Sequence, residues 1–165
     1  MKYLNNYKNF LNEKQNISEN FEKWFKDSKI VNKNGDPLIL YHGTYSIFNE
    51  FKPSTSIGTH GETDQIKGIY FTDNKNVAMW YTPKSEDSKY LKKVYLSIKN
   101  PYIVHNPKIL LNQLKIDNYS NVDKILKKLG YDGLIIEEGF YTLGGPWIIY
   151  LAFYSNQIKI INEKK

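Results

Sequence analysis

The chain has 165 residues and a mass of 19.4 kDa, with 41% hydrophobic and 24% charged residues, the size and balance of one globular domain with a sizeable core. It has no cysteine, which excludes disulfides, thiolate catalysis and cysteine-ligated zinc; it also has no long apolar run and no apolar leader-like segment near its start, so a cytoplasmic place of action is expected. All 23 positive residues are lysine and the formal charge is +6; with AT-rich codons behind Lys, Asn and Ile alike, that charge is weak evidence for nucleic-acid binding, whereas the lack of arginine excludes any bidentate guanidinium clamp.

Residues 1–16 read as a polar extension ahead of a single domain over 17–165. Asn16, Ser18 and Glu19 suggest a capping box, and Ile17, Phe21, Trp24 and Phe25 follow at helical spacing, which predicts a helix over 17–27 with an aromatic core stripe. Asn34-Gly35, between Ile30-Val31 and Pro37–Tyr41, is a hairpin signal because both residues tolerate positive φ. The second strand of that hairpin runs straight into His42-Gly43-Thr44. Residues 52–67 are polar and glycine-punctuated, hence a loop; Gly68–Thr72 is a strand; Asp73 is the expected cap of a helix carrying Val77, Trp80 and Tyr81. A loop from Pro83 to Lys89 precedes a strand over Lys93–Ile98, which Asn100-Pro101 ends. Residues 107–129 read as mostly helical, with Asn121 a cap and Gly130 a stop. A strand over Gly133–Glu137, a loop from Gly139 to Pro146 and a strand over Trp147–Tyr154 complete the order, with Gln157 expected to close that strand by hydrogen bonding. Short strands among few helices give α+β, not alternating βαβ units. Neither GxGxxG nor GxxxxGK[ST] occurs, so the usual nucleotide cradles are missing.

Of the three histidines, His60 and His105 fall in polar loop or turn sequence, and the spacing of the three does not make a metal site; no metal is expected. His42 ends an apolar strand and precedes a glycine, where an imidazole can face a cleft beside an open backbone amide. By spacing alone a structural role for it is equally open. Tyr70 and Tyr81 lie eleven residues apart, one ending a strand and one on the next helix, and two such rings can sandwich a flat heterocycle that spacing does not identify.

In order along the chain, YHGT (41–44), GIYFTDNKNVAMWY (68–81) and IYLAFYSNQIK (149–159) resemble ADP-ribosyltransferases of the H-Y-E clade, which includes the poly(ADP-ribose) polymerases and diphtheria toxin. The nearer likeness is to the small transferase modules of phage and mobile-element polyvalent proteins. FEKWFKDSKIVNKNGDPLILYHGT (21–44), YLSIKNP (95–101) and GYDGLI (130–135) fit the same modules, so the likeness runs from about residue 18 to 160. It implies an ADP-ribosyltransferase fold: split, twisted antiparallel sheets with flanking helices around a cleft for NAD, the co-substrate, with no metal.

Carried over by position, the resemblance makes His42 the histidine that binds ribose hydroxyls and Gly43 the residue whose N–H and C=O hold the nicotinamide carboxamide. Tyr70 and Tyr81 become the stacking tyrosines, and Thr44 and Phe71 belong to the same NAD-binding segments. Two positions depart from the pattern: Ala78 stands where the polymerases have a carboxamide-binding serine, and Ile149 stands where they have the glutamate that grips the ribose 2′-hydroxyl. The resulting His42, Tyr81, Ile149 set implies a mono-ADP-ribosyltransferase acting on a macromolecular acceptor, expected to be a protein side chain. The alternatives are a degenerate module that binds NAD or ADP-ribose without catalysis, and a transferase acting on nucleic acid. Glu137 and Glu138 are candidate substitute carboxylates, though a solvated strand end explains them as well; Lys52 and Lys67 are candidate phosphate contacts. Oligomeric state and biological role (phage, defence or toxin) are not legible.

Overall fold

A computed structural model describes residues 18–52, 66–83, 88–137 and 147–161; the polar extension over 1–16, Ile17, most of the loop expected at 52–67, Glu138 and the loop from Gly139 to Pro146 lie outside the described residues. Among the described residues seven strands form one mixed, twisted sheet: β1 (Leu40–Gly43), β2 (Ile69–Thr72), β3 (Leu91–Leu96), β4 (Pro101–Val104), β5 (Gly133–Ile136), β6 (Ile149–Ala152) and β7 (Ile158–Ile160). Their order is β4-β5-β6-β2-β1-β3-β7. Every neighbouring pair is antiparallel except β4 and β5, which run parallel. The helices are α1 (18–25), α2 (Lys75–Met79), α3 (Pro107–Leu114) and α4 (Val122–Lys128).

Period-two alternation sends the strand side chains to two cores. Leu40, Ile69, Phe71, Val94, Tyr150 and Ala152 face one side, with Ile30 and Phe51 laid over them. Leu134, Ile136, Leu151 and Phe153 face the other, against Leu110 of α3 and Val122 and Leu126 of α4. The aromatic stripe of α1 packs on the sheet as expected: Phe21 meets Tyr95 edge-on at 5.1 Å, and Ser97 Oγ donates to the Trp24 carbonyl at 2.7 Å.

The split implied by the resemblance is present as a seam. The sheet's halves, β4-β5-β6-β2 and β1-β3-β7, meet through the single registered pair Tyr41↔Thr72. All other neighbours share three or four pairs.

Several element boundaries differ from the sequence expectation for local reasons. Asn74, not Asp73, caps α2: its side chain accepts from Asn76 N–H at 3.0 Å and Val77 N–H at 3.3 Å, and its own N–H is held by Thr72 Oγ1 at 3.1 Å. The 107–129 stretch is two helices, parted where Lys115 turns to φ +54°; Asn121 stands at the α4 cap position without a side-chain bond, and Gly130 at φ +90° closes that helix as expected. The Asn34-Gly35 turn forms, with Gly35 at φ +87°, but joins only the bridge Val31↔Pro37 before β1 starts at Leu40. β4 begins on the proline expected to end a strand, because an edge strand tolerates proline at its first residue.

Gln157 closes the last long strand as expected. Its Oε1 accepts the Phe153 and Tyr154 N–H groups at 3.0 and 2.9 Å, and its Nε2 donates to the Asp132 carbonyl at 2.8 Å. The chain then turns through Ser155–Gln157 into β7, a three-residue strand too short to show a period.

Candidate active site

The site is built where β1 and β2 part. Continued past Tyr41↔Thr72, the register would set Gly43 opposite Tyr70. Instead the Tyr70 carbonyl accepts a hydrogen bond from His42 Nδ1 at 2.8 Å, so an imidazole, not a ladder partner, holds β2 at this point. The ring is walled by Phe51, edge-on at 5.1 Å, and by Phe71 and Phe48 at 5.5 and 6.3 Å. Burial among these rings pulls the His42 pKa below its ordinary 6.5; the Tyr70 carbonyl pulls the other way, and the Lys92 charge lowers it further. His42 is therefore neutral at pH 7. A carbonyl can only accept, so the ring proton sits on Nδ1 and the Nε2 lone pair is the ring's second polar position. That nitrogen can accept from a sugar hydroxyl.

The same shift gives a pH signature. NAD turnover that depends on neutral His42 is expected to hold through neutral pH and to fall only below 6.5, as a pH–rate profile would show. Folding stability should follow the same sign. Between the lowered folded pKa and 6.5 the unfolded chain binds a proton that the folded chain refuses, so stability measured in urea drops as pH falls across that window.

Gly43 presents the backbone. Thr44 N–H donates to the Tyr90 carbonyl at 2.9 Å, and Gly43 lies opposite Leu91 of β3. In an antiparallel ladder the bonded sides alternate, so Gly43 N–H and C=O point away from β3, toward the seam. Its other surface is closed: a Cβ here would overlap the Ala78 carbonyl oxygen at the end of α2 and come within 3.0 Å of Tyr81 Cβ. Close packing of β1 against α2 thus requires glycine and brings Tyr81 beside the seam. Ala78 itself is buried.

Tyr70 points to the face opposite Ile69 and Phe71, the face on which α2 lies, and its hydroxyl donates to the Ile66 carbonyl at 2.7 Å. The two expected stacking residues are thereby on the Gly43 side of the sheet, Tyr70 fixed and Tyr81 42% exposed. Next to Tyr81, Trp80 meets Trp147 edge-on at 5.7 Å. Phe71, expected among the NAD-binding residues, is buried behind the His42 ring. Thr44 is engaged in a local turn, donating to the Ser46 carbonyl and accepting from Ser46 N–H.

Ile149 opens β6, registered with Thr72 on one side and Ile136 on the other. It shares the face of Tyr70 and Thr72, two strand spacings or about 10 Å from β1. Glu137 follows β5 on the opposite face from Ile136, and its carboxylate meets His105 Nδ1 at 3.4 Å, both side chains being more than half exposed. Among the described residues no three His, Cys, Asp or Glu side chains gather to hold a metal. A separate open groove of about 830 Å³, lined by Asn49, Phe51, Asn156, Lys159 and their neighbours, shares Phe51 with the site. Lys92 belongs to none of the sequence motifs. It lies directly opposite His42 in the β1–β3 register, a placement that strand pairing alone reveals.

A sequence model described as the ADP-ribosyltransferase in polyvalent proteins matches residues 32–165, the span that carries the seam, α2 and β6. The chain belongs to this ADP-ribosyltransferase family. The family's co-substrate is NAD; the seam carries the His42 ring on the Phe71 face, the Gly43 backbone N–H and C=O in the gap, and Tyr70 and Tyr81 on the opposite face. No curated protein matches the chain. Among solved structures, one titled as the crystal structure of an anti-CRISPR protein is similar at 14% identity, covering 74% of this chain and 94% of that one, with a TM-score of 0.42. An overlap that loose carries no argument about the transferase domain.

Proposed function

We propose that the domain is a mono-ADP-ribosyltransferase that uses the β1–β2 seam to cleave NAD. The observation that supports this reading most is the joint placement of neutral His42 and outward-turned Gly43 where the ladder opens. Nicotinamide lies between Tyr70 and Tyr81 with its carboxamide on the Gly43 backbone, and His42 Nε2 takes a ribose hydroxyl. The C1′–N bond breaks with its electron pair going to the pyridine nitrogen, so neutral nicotinamide leaves and an oxocarbenium-like ribose remains. The acceptor's nucleophile then bonds to C1′ and gives its proton to solvent or a neighbouring base. Positioning and water exclusion supply much of the rate, since the protein makes no covalent bond.

Ile149 cannot hold the 2′-hydroxyl or stabilise positive charge on the sugar, which favours a single transfer with the acceptor helping, over chain growth. An intact-mass spectrum of the modified acceptor is expected to show one ADP-ribose per site, and a ladder of adducts would contradict mono-transfer. Ala78 and Ile149 also favour a second reading, a module that binds NAD without cleaving it; calorimetric NAD binding with no nicotinamide released would select it. A nucleic-acid acceptor has less support. Lysines with aromatic contacts are spread over β3, α4 and β7, so these give no single basic focus. No helix among the described residues is long and apolar enough to cross a membrane.

A further inference from the structure

An NAD-binding chain must settle two phosphates, and this one has no arginine with which to do it. On the described strands, register decides which lysine stands nearest the ribose-binding histidine. Lys92 of β3 is the cross-strand partner of His42. The Thr44–Tyr90 hydrogen bond makes His42 and Lys92 the next bonded pair in the ladder, so their side chains rise from the same face with Cβ atoms about 5 Å apart. Lys93 faces the other way, opposite Tyr41. Lys92 Nζ lies 5.3 Å from the centre of the Phe48 ring, and the same ring stands edge-on to His42 at 6.3 Å. One phenyl ring is therefore shared by an imidazole and an ammonium. The lysine stem is half-buried and its ammonium is held over Phe48, not cast into solvent. Lys52 and Lys67, the earlier candidates, are both exposed and have no such placement.

We propose that Lys92 is the diphosphate-binding residue of the site, with Phe48 as the wall that aims it. The inference rests on the reading of the seam as the NAD site. It gives the dinucleotide a direction: nicotinamide at Gly43, Tyr70 and Tyr81, ribose at His42, and the diphosphate beyond it toward β3. A lysine does this as a point charge, without the planar fork that only arginine supplies.

The test is a set of binding titrations with NAD, ADP-ribose and nicotinamide alone, at low and high salt, on wild type, Lys92→Gln and Lys92→Arg. All are run well above pH 6.5, where His42 is neutral whichever residue stands opposite it. Lys92→Gln is expected to weaken NAD and ADP-ribose about tenfold, to leave nicotinamide unchanged, and to flatten the salt dependence of NAD affinity. Lys92→Arg should keep both the affinity and the salt slope. Wild-type NAD binding that Lys92→Gln leaves intact in strength and salt dependence would overturn the assignment while sparing the NAD site. Equal loss of all three ligands in Lys92→Gln and Lys92→Arg would also overturn it, by showing a structural role. A wild-type protein that binds neither NAD nor ADP-ribose would overturn the assignment and the transferase reading together.

Discussion

His42→Ala is expected to lower nicotinamide release from NAD by about a hundredfold or more, the cost of losing one well-aimed polar contact to the reacting sugar. The imidazole has two tasks, and they can be separated. Nδ1–H satisfies the Tyr70 carbonyl where the strand ladder fails, and in the proposed site Nε2 takes the ribose hydroxyl. Alanine removes both, and it also costs the Tyr70 carbonyl its bond from Nδ1 and empties the space between Phe48, Phe51 and Phe71, at about 1–3 kcal/mol of stability. His42→Asn keeps an N–H donor of similar reach but offers no ring nitrogen at the ribose position. It is therefore expected to melt near the wild-type temperature and still lose most turnover. Wild-type turnover in either variant would remove His42 from the chemistry and leave it a prop for β2.

Gly43→Ala should have the largest effect on structure and activity together. The new methyl group would overlap the Ala78 carbonyl oxygen, and nothing there is the far end of a flexible chain. The last turn of α2 must shift, and Tyr81 shifts with it, since its own N–H is bonded to that carbonyl at 3.1 Å. A cost of about 3 kcal/mol is expected from the overpacking, with NAD binding lost in calorimetry. Gly35→Ala is the useful contrast. It meets nothing within 4 Å but forces alanine to φ +87°, so it should cost about 1 kcal/mol in chemical denaturation and leave NAD turnover unchanged. Comparable loss of turnover in both variants would mean that Gly43 acts only through stability.

What the sequence showed and what it hid follow from the range of the interactions. The Gly130 stop and the Gln157 closure are local, fixed by a positive φ and by hydrogen bonds within four residues, and both were legible. The ordered motifs around His42, Tyr70, Tyr81 and Ile149 pointed to the family, although each alone is common. β7 was hidden because three residues carry no period, and β4 because Pro101 reads as a terminator until it is known to start an edge strand. The cap falls on Asn74 and not on Asp73 because, at the end of β2, Thr72 Oγ1 holds the Asn74 N–H and moves the cap one residue on. Lys92 was hidden for the deepest reason. Its nearness to His42 joins residues fifty apart through a strand register, which a single sequence does not display. Ile149 is the opposite case: its identity was plain from the start, and its consequence is chemical.

NAD cleavage at the β1–β2 seam is tested most directly by nicotinamide released from NAD by the purified chain, beside Tyr81→Ala, with and without a cell lysate as acceptor source. Release by the wild type is expected to rise with lysate and to fall sharply in Tyr81→Ala. Release that Tyr81→Ala leaves unchanged, or no release under either condition, would contradict cleavage at the seam.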